Sequence, residues 1–306
     1  MKLPFRGITR RRGVVVRGPH GWGEFSVFDD YTEAVASRWA EAAVEAAETS
    51  WPAPVRERVA INVTVPAIDA GAAHELVKKS GCSTAKVKVG STKGGTTSAR
   101  DDEARIEAVR QALGPSGRLR IDANESWDID TARSLIVAWA RYDLEYVEQP
   151  VASLEDMAAL RRSIDVPIAA DELVRQGDPR RVKQMEAADL IVLKVQPLGG
   201  VARALQIAEI VGLPAVVSSA IETSVGIAAG LALAACLPDL PYACGLGTVS
   251  LLTSDLVTDP LIAESGWMRV RRPEPDEELL RTHSPDSSEA NALVERFAAL
   301  TGARVG

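Results

Sequence analysis

Leu190-Ile191-Val192-Leu193-Lys194 runs through four apolar residues before its first charge. A strand with one face in water alternates polar and apolar residues, whereas a strand covered by helices on both faces carries a continuous apolar run. Comparable β-rich runs occur at 60–64, 85–89, 118–122, 145–148, 167–171, 214–218 and 241–245, eight in all with the first. Amphipathic segments at 101–113, 130–142, 154–164 and 201–211 fall between them. Alternating β and α segments with short connections imply a parallel sheet with right-handed crossovers. Eight such units favour a closed barrel over an open sheet, and no GxGxxG turn follows an early strand.

The expected fold is therefore α/β: a (β/α)7β barrel of TIM type over residues 58–265. Residues 1–57 read as a small α+β N-terminal capping domain, completed by the C-terminal segment 266–306. Within it, 5–17 and 21–27 are expected to pair as strands around Gly18-Pro19, ahead of a helix over 32–48. The polar, Pro-rich stretch 271–288 reads as an irregular connection before a last helix over 288–300.

Composition narrows the partners. The net charge is −7 and no basic face is interleaved with aromatics, which argues against nucleic acid. The most apolar stretch, 225–237, is too short to cross a bilayer and reads as a buried helix. Cys82, Cys236 and Cys244 form no CxxC pair, and residues 1–12 lack an apolar leader core. Both features lead to the expectation of a reducing, cytoplasmic setting. The partner expected is a small-molecule carboxylate, on the strength of the lysines and carboxylates that end the strands.

Polar residues end strand after strand. Lys88, Asp122, Glu148, Asp171, Lys194 and Ser218 are separated by 34, 26, 23, 23 and 24 residues, and the last four intervals are each about one βα unit. All six are thus expected at the carboxyl-terminal mouth, where barrel active sites lie. Asp122, Glu148 and Asp171 would repel one another at one mouth unless a cation sat between them. An all-oxygen set favours a hard ion, Mg²⁺ most simply, with Mn²⁺ able to substitute. His20, His74 and His283 are scattered and show no ligand spacing.

In Ala85-Lys86-Val87-Lys88-Val89 the lysines share one face and the apolar residues the other. The outer face of a barrel packs on helices, so Lys86 and Lys88 are expected to point inward. Two ammonium groups roughly 7 Å apart repel by about 2 kcal/mol at an effective dielectric of about 20, which would lower one lysine towards a general base. Lys194, closing an apolar strand, would face Lys88 across the carboxylates. Such a pair suits proton transfer at a carbon next to a carboxylate.

Lys86-Val87-Lys88, Asp122-Ala123-Asn124, Val147-Glu148-Gln149-Pro150, Asp171-Glu172 and Lys194 together resemble the muconate-lactonizing-enzyme branch of the enolase superfamily, over about residues 58–250. The stretches Phe5 to Thr9, Gly21 to Ser26, Ser218 to Thr223 and Cys244 to Thr248 are similar to o-succinylbenzoate synthases of actinobacteria. The resemblance implies a metal site of Asp122, Glu148 and Asp171, and dehydration of 2-succinyl-6-hydroxy-2,4-cyclohexadiene-1-carboxylate to o-succinylbenzoate in menaquinone synthesis. It implies that Lys88 removes the α-proton and protonates the departing hydroxyl, while Lys194 stabilises charge from the opposite side of the ring. Arg120 matches an Arg-x-Asp feature and is expected to orient substrate or a metal-bound carboxylate. Lys86, Asn124, Glu172, Ser218, Ser219 and Gly247 are expected around the substrate. The nearest alternative keeps the site and changes the substrate, to an N-succinylamino acid or a dipeptide undergoing racemization or epimerization. A catalytically silent barrel is the other alternative, and it gives no reason for two lysines to be kept inside.

Overall fold

A computed structural model of the chain describes residues 1–3, 5–92 and 95–302. Seven parallel strands form one sheet in chain order: Val63–Val65, Thr84–Lys88, Arg118–Asp122, Leu144–Glu148, Ile168–Ala170, Leu190–Leu193 and Ala215–Val217. The ring closes through an eighth segment. Cys244 bridges to Ile61 and Gly245 to Ser218, both in parallel sense. Three backbone bonds make the seam: Asn62 N–H to Cys244 O at 2.9 Å, Cys244 N–H to Ala60 O at 2.6 Å, and Gly245 N–H to Val217 O at 2.8 Å. The eighth strand expected over 241–245 is reduced to these two residues, because Pro241 has no N–H to give and the pairing starts only at Cys244.

The outer faces of the strands are as the apolar runs require. Val87, Val89, Ile121, Val147, Ile191, Leu193 and Val217 are buried under the helices. Inside the barrel, Tyr146, Ala169, Leu190, Val192 and Val216 fill the lower part with Tyr242 packed against them. Helices Ala99–Leu113, Ile129–Trp139, Leu154–Arg161 and Val201–Val211 occupy the crossovers, three of them started by a side-chain cap from Ser98, Asp128 or Ser153. The apolar helix Ser224–Cys236 is almost wholly buried. Among the described residues no helix is long and apolar enough to cross a membrane.

Over the barrel's mouth lies an α+β layer. Val14–Gly18 pairs antiparallel with Gly21–Phe25, and helix Glu33–Glu48 packs on that hairpin. Gly23 has no room for a side chain, since a Cβ would fall 1.9 Å from Ala43 O of that helix. Upstream of Val14 the expected strand is absent. Arg6 and Gly7 take positive φ and make a tight turn, held by a bridge from Phe5 to Ile8. Helix Ser287–Thr301 joins the cap, with Phe297 5.4 Å from Phe25 and Arg296 paired to Glu33 at 2.8 Å. Residues 303–306 of the expected C-terminal segment lie outside the described residues.

Two further expectations are corrected. The run 60–64 is not one strand: Arg58–Ala60 pairs antiparallel with Trp267–Arg269, while Val63–Val65 pairs with the second barrel strand and the residues between them make the closing seam. The stretch 271–288 is not irregular throughout. Helix Glu277–His283 forms within it because Asp276 accepts the N–H groups of Glu278 and Leu279, at 2.9 and 3.0 Å.

Candidate active site

Register places the inward residues in layers. Lys86 is level with Arg120, and Lys88 with Asp122, which in turn is level with Glu148. The upper layer opens into a cavity of about 500 Å³ beneath the cap. Of the residues singled out in the sequence, Lys86, Lys88, Asn124, Glu172, Lys194, Ser218 and Ser219 line it. The second and sixth barrel strands, which carry Lys88 and precede Lys194, are separated by three strands on one side of the ring. The two lysines therefore approach the cavity from opposed walls.

Asp122, Glu148 and Asp171 do not line it: they are fully buried beneath the lysines that do. Lys86 Nζ donates to Glu148 Oε2 at 2.7 Å and lies 3.3 Å from Asp122 Oδ2. Lys88 Nζ donates to Asp122 Oδ2 at 2.5 Å and to Asn124 Oδ1 at 2.8 Å, and Lys194 Nζ donates to Asp171 Oδ2. The carboxylates thus neutralise the ammoniums. Burial works against the Lys86 charge, but Glu148 and Asp122 outweigh it and raise the lysine above its ordinary range. Lys194 is likewise raised, by Asp171 first, against the pull of burial. The lowering expected from lysine–lysine repulsion is therefore not found at Lys86, because two buried carboxylates stand 2.7 and 3.3 Å from its Nζ.

The acids divide in a complementary way. Burial would raise Asp122, yet Lys88 and Lys86 hold it below the usual carboxylate range. Glu148 is pushed up to about 7 by burial and by the Asp122 charge. Among the described residues no group of three or more acidic, histidine or cysteine side chains is disposed to hold a metal ion, and lysine ammoniums lie against all three carboxylates. The donor set nevertheless fits a hard cation. Glu148 Oε1 is buried with no hydrogen-bond partner, and Asp171 Oδ1 has only the Arg175 guanidinium at 3.6 Å; an orphaned carboxylate oxygen away from water is costly unless a cation meets it.

Two expected residues stand elsewhere. Gly247 opens a 3-10 turn over Ile61 and is not part of the cavity wall; a Cβ there would lie 3.1 Å from Ile61 Cγ2. Arg120 lies below the cavity, completely buried. Its guanidinium donates to Glu145 at 2.5 Å, Asn62 Oδ1 at 3.1 Å and Ala243 O at 2.6 Å, and sits 4.7 Å over the Tyr146 ring. It ties the third strand to both sides of the closing seam, so the expectation that it orients substrate is replaced by a role in barrel closure. Arg120→Met should cost roughly 3 kcal/mol, the low end for halving a buried ion pair, because Glu145 keeps some contact with water. Denaturant unfolding checks this; wild-type stability with lost turnover would return Arg120 to the substrate.

Several contributors were not singled out from the sequence. Arg175 lines the cavity, donating to Glu172 Oε1 at 2.8 Å and lying 3.6 Å from Asp171. Its i+3 and i+4 spacing from those acids is the one signal that could have found it. Gln149 Oε1 accepts the N–H groups of Asp171 and Leu173 at 3.0 and 3.3 Å, holding the fifth-strand loop. From the cap, Phe5 lies 5.8 Å from Lys88 Nζ. Residues just beyond strand ends take positive φ, at Asn124 (+46°), Gln149 (+40°) and Ile221 (+65°), as strained backbone at functional sites often does.

At the cap's junction with the barrel, Glu222 and Glu24 are buried together. Burial, then the Glu24 charge, raises Glu222 from its ordinary 4.5 to about 7, with Arg11 opposing. A carboxyl raised on folding contributes stability that is complete below its unfolded pKa and is lost as pH rises through the folded one. Stability should accordingly fall between pH 4.5 and about 7, and Glu222→Gln should flatten that slope. Thermal unfolding of both proteins across this range with saturating Mg²⁺ decides it; parallel curves would contradict the assignment.

A closed parallel barrel with acids ending its third, fourth and fifth strands and lysines on the second and sixth defines a class, the enolase-type enzymes. Residues 69–275 match the family described as enolase C-terminal domain-like, and residues 1–47 that described as enolase N-terminal domain-like. Use of a divalent metal is general in that superfamily. The chain is 56% identical over 281 residues to an o-succinylbenzoate synthase of Thermobifida fusca, covering 92% of this chain and 88% of that one. It is 47% identical over 279 residues to an o-succinylbenzoate synthase of Mycolicibacterium smegmatis, covering 90% and 85%. Among solved structures, the L-Ala-D/L-Glu epimerase of Bacillus subtilis superposes with a TM-score of 0.72 at 26% identity, over 83% of this chain and 86% of that one. The chain belongs to the o-succinylbenzoate synthase family of the enolase superfamily.

Proposed function

We propose that this lyase dehydrates 2-succinyl-6-hydroxy-2,4-cyclohexadiene-1-carboxylate to o-succinylbenzoate, in the cytoplasm and as a step of menaquinone synthesis. The observation that carries the reading is the pair of lysines on opposed walls of the cavity, with three buried carboxylates hydrogen-bonded to the lysines behind them. Asp122, Glu148 and Asp171 would hold Mg²⁺ or Mn²⁺. Bound there, the cation supplies positive charge to a substrate carboxylate and lowers the cost of the negative charge that develops on it.

The chain's own groups do the rest. Lys88 takes the proton from the carbon α to the ring carboxylate as that C–H bond breaks. It then gives the proton to the hydroxyl on the neighbouring ring carbon, the C–O bond breaks, water departs and the ring becomes aromatic. An amine accepts a proton only in its neutral form, so Lys88 must first give one proton to solvent; its two remaining N–H groups can still donate to Asp122 and Asn124. Lys194 keeps its proton and places a cation over the opposite face of the ring. The cap excludes water by seating Phe5 and Phe28 on the cavity, and Asn124, Glu172, Ser218 and Ser219 surround the substrate.

The epimerase likeness gives the alternative, since a dipeptide or N-succinylamino acid needs the same two lysines. Aromatization is strongly downhill and asks less of pocket shape, which favours dehydration. Comparing kcat/KM for the cyclohexadiene carboxylate with that for α-proton exchange of an N-succinylamino acid in D2O tests the choice. Dehydration should be the faster; preferred exchange would move the assignment to the racemases.

A further inference from the structure

Residues 218–221 form a wall of the catalytic cavity in a conformation their sequence resists. Ile221 has φ +65°, and a β-branched residue there persists only where its surroundings over-determine it. Those surroundings come from the cap. Arg11 Nε donates to the Ile221 carbonyl at 3.1 Å and Nη2 to the Ala220 carbonyl at 3.3 Å, while the same guanidinium donates to Ser26 O within the cap. From the barrel side Glu222 Oε2 accepts the Ala220 N–H at 2.6 Å. Glu24 accepts the N–H groups of Thr223 and Gly226 at 3.1 and 3.0 Å, fixing the chain just beyond. Arg11 also lies 4.2 Å over the ring of Phe28, which lines the same cavity, yet Arg11 itself does not.

We propose that Arg11 is a positioning residue: it locks the 218–221 wall and the Phe28 ring to each other, and so sets the space that holds the part of the substrate remote from the reacting carbon. A planar fork of donors is what this task needs, because three carbonyls on two domains are met by one group. Burial works against the Arg11 charge, and the adjacent Glu24 and Glu222 offset it. An arginine that merely glued the cap on would have no reason to bond the backbone of the strained residue. The identity of the substrate rests on the dehydration reading; the clamp does not.

Wild type, Arg11→Lys and Arg11→Met, each with Mg²⁺, are to be compared in two ways. Without substrate, amide hydrogen exchange at 218–223 should quicken in both variants while helix Ile129–Trp139 is unchanged. With the cyclohexadiene carboxylate, KM should rise about tenfold, the loss of one or two charge-assisted hydrogen bonds, with kcat within about twofold. Arg11→Lys should lie between wild type and Arg11→Met; if Arg11→Met does not fold, Arg11→Lys alone carries the comparison. Unchanged exchange at 218–223, a loss confined to kcat, or exchange quickened uniformly over the barrel would each overturn the proposal. Failure of the wild type to form o-succinylbenzoate would instead count against the dehydration reading, and the exchange result would still judge the clamp.

Discussion

Lys88→Ala is expected to slow dehydration by about 10²–10⁴-fold or more, since one amine both takes and returns the proton. Lys88→Arg should be nearly as poor, because a guanidinium keeps its proton at neutral pH. Lys194 separates the two chemistries. If it acts only as a cation over the ring, Lys194→Arg should keep more dehydration activity than Lys194→Ala. In a racemase both lysines exchange protons, and Lys194→Arg should be as inactive as Lys88→Arg. Steady-state assays of all four variants against both substrates give the answer; near wild-type dehydration by Lys88→Ala would remove the mechanism.

The next largest effect should come from the three carboxylates buried beneath the lysines. Exhaustive chelation is expected to abolish turnover and added Mg²⁺ to restore it. Glu148→Gln preserves the shape of a side chain whose Oε1 has no partner in the protein but removes its charge. Metal affinity should then fall by at least about 10²-fold, more than is lost with an outer supporting residue, while the fold is retained. Metal titration followed by calorimetry, beside circular dichroism, checks both parts. Full activity after chelation would end the metal assignment.

The barrel was legible because a parallel sheet repeats one unit, and each repeat writes the same signature: an apolar run ended by a polar residue. The spacing of Asp122, Glu148, Asp171 and Lys194 follows from that repeat and from nothing subtler. What escaped the sequence were contacts between distant segments. Nothing near residue 60 announces that Arg58–Ala60 pairs with Trp267–Arg269, or near Arg11 that it reaches Ile221. Arg120 shares an inward face with Asp122, but two residues along a strand are about 7 Å, enough to move a side chain from the mouth to the packed interior. At Lys86 the lowering expected from a neighbouring ammonium is absent for a related reason: spacing along the strand shows Lys88, but not the buried Glu148 carboxylate 2.7 Å away.

The most direct test is to mix the purified protein and Mg²⁺ with 2-succinyl-6-hydroxy-2,4-cyclohexadiene-1-carboxylate and follow the aromatic product spectroscopically. Catalysed, multiple-turnover formation of o-succinylbenzoate is the expected result. A rate no higher than that of the uncatalysed reaction, from folded and metal-loaded protein, would contradict the account.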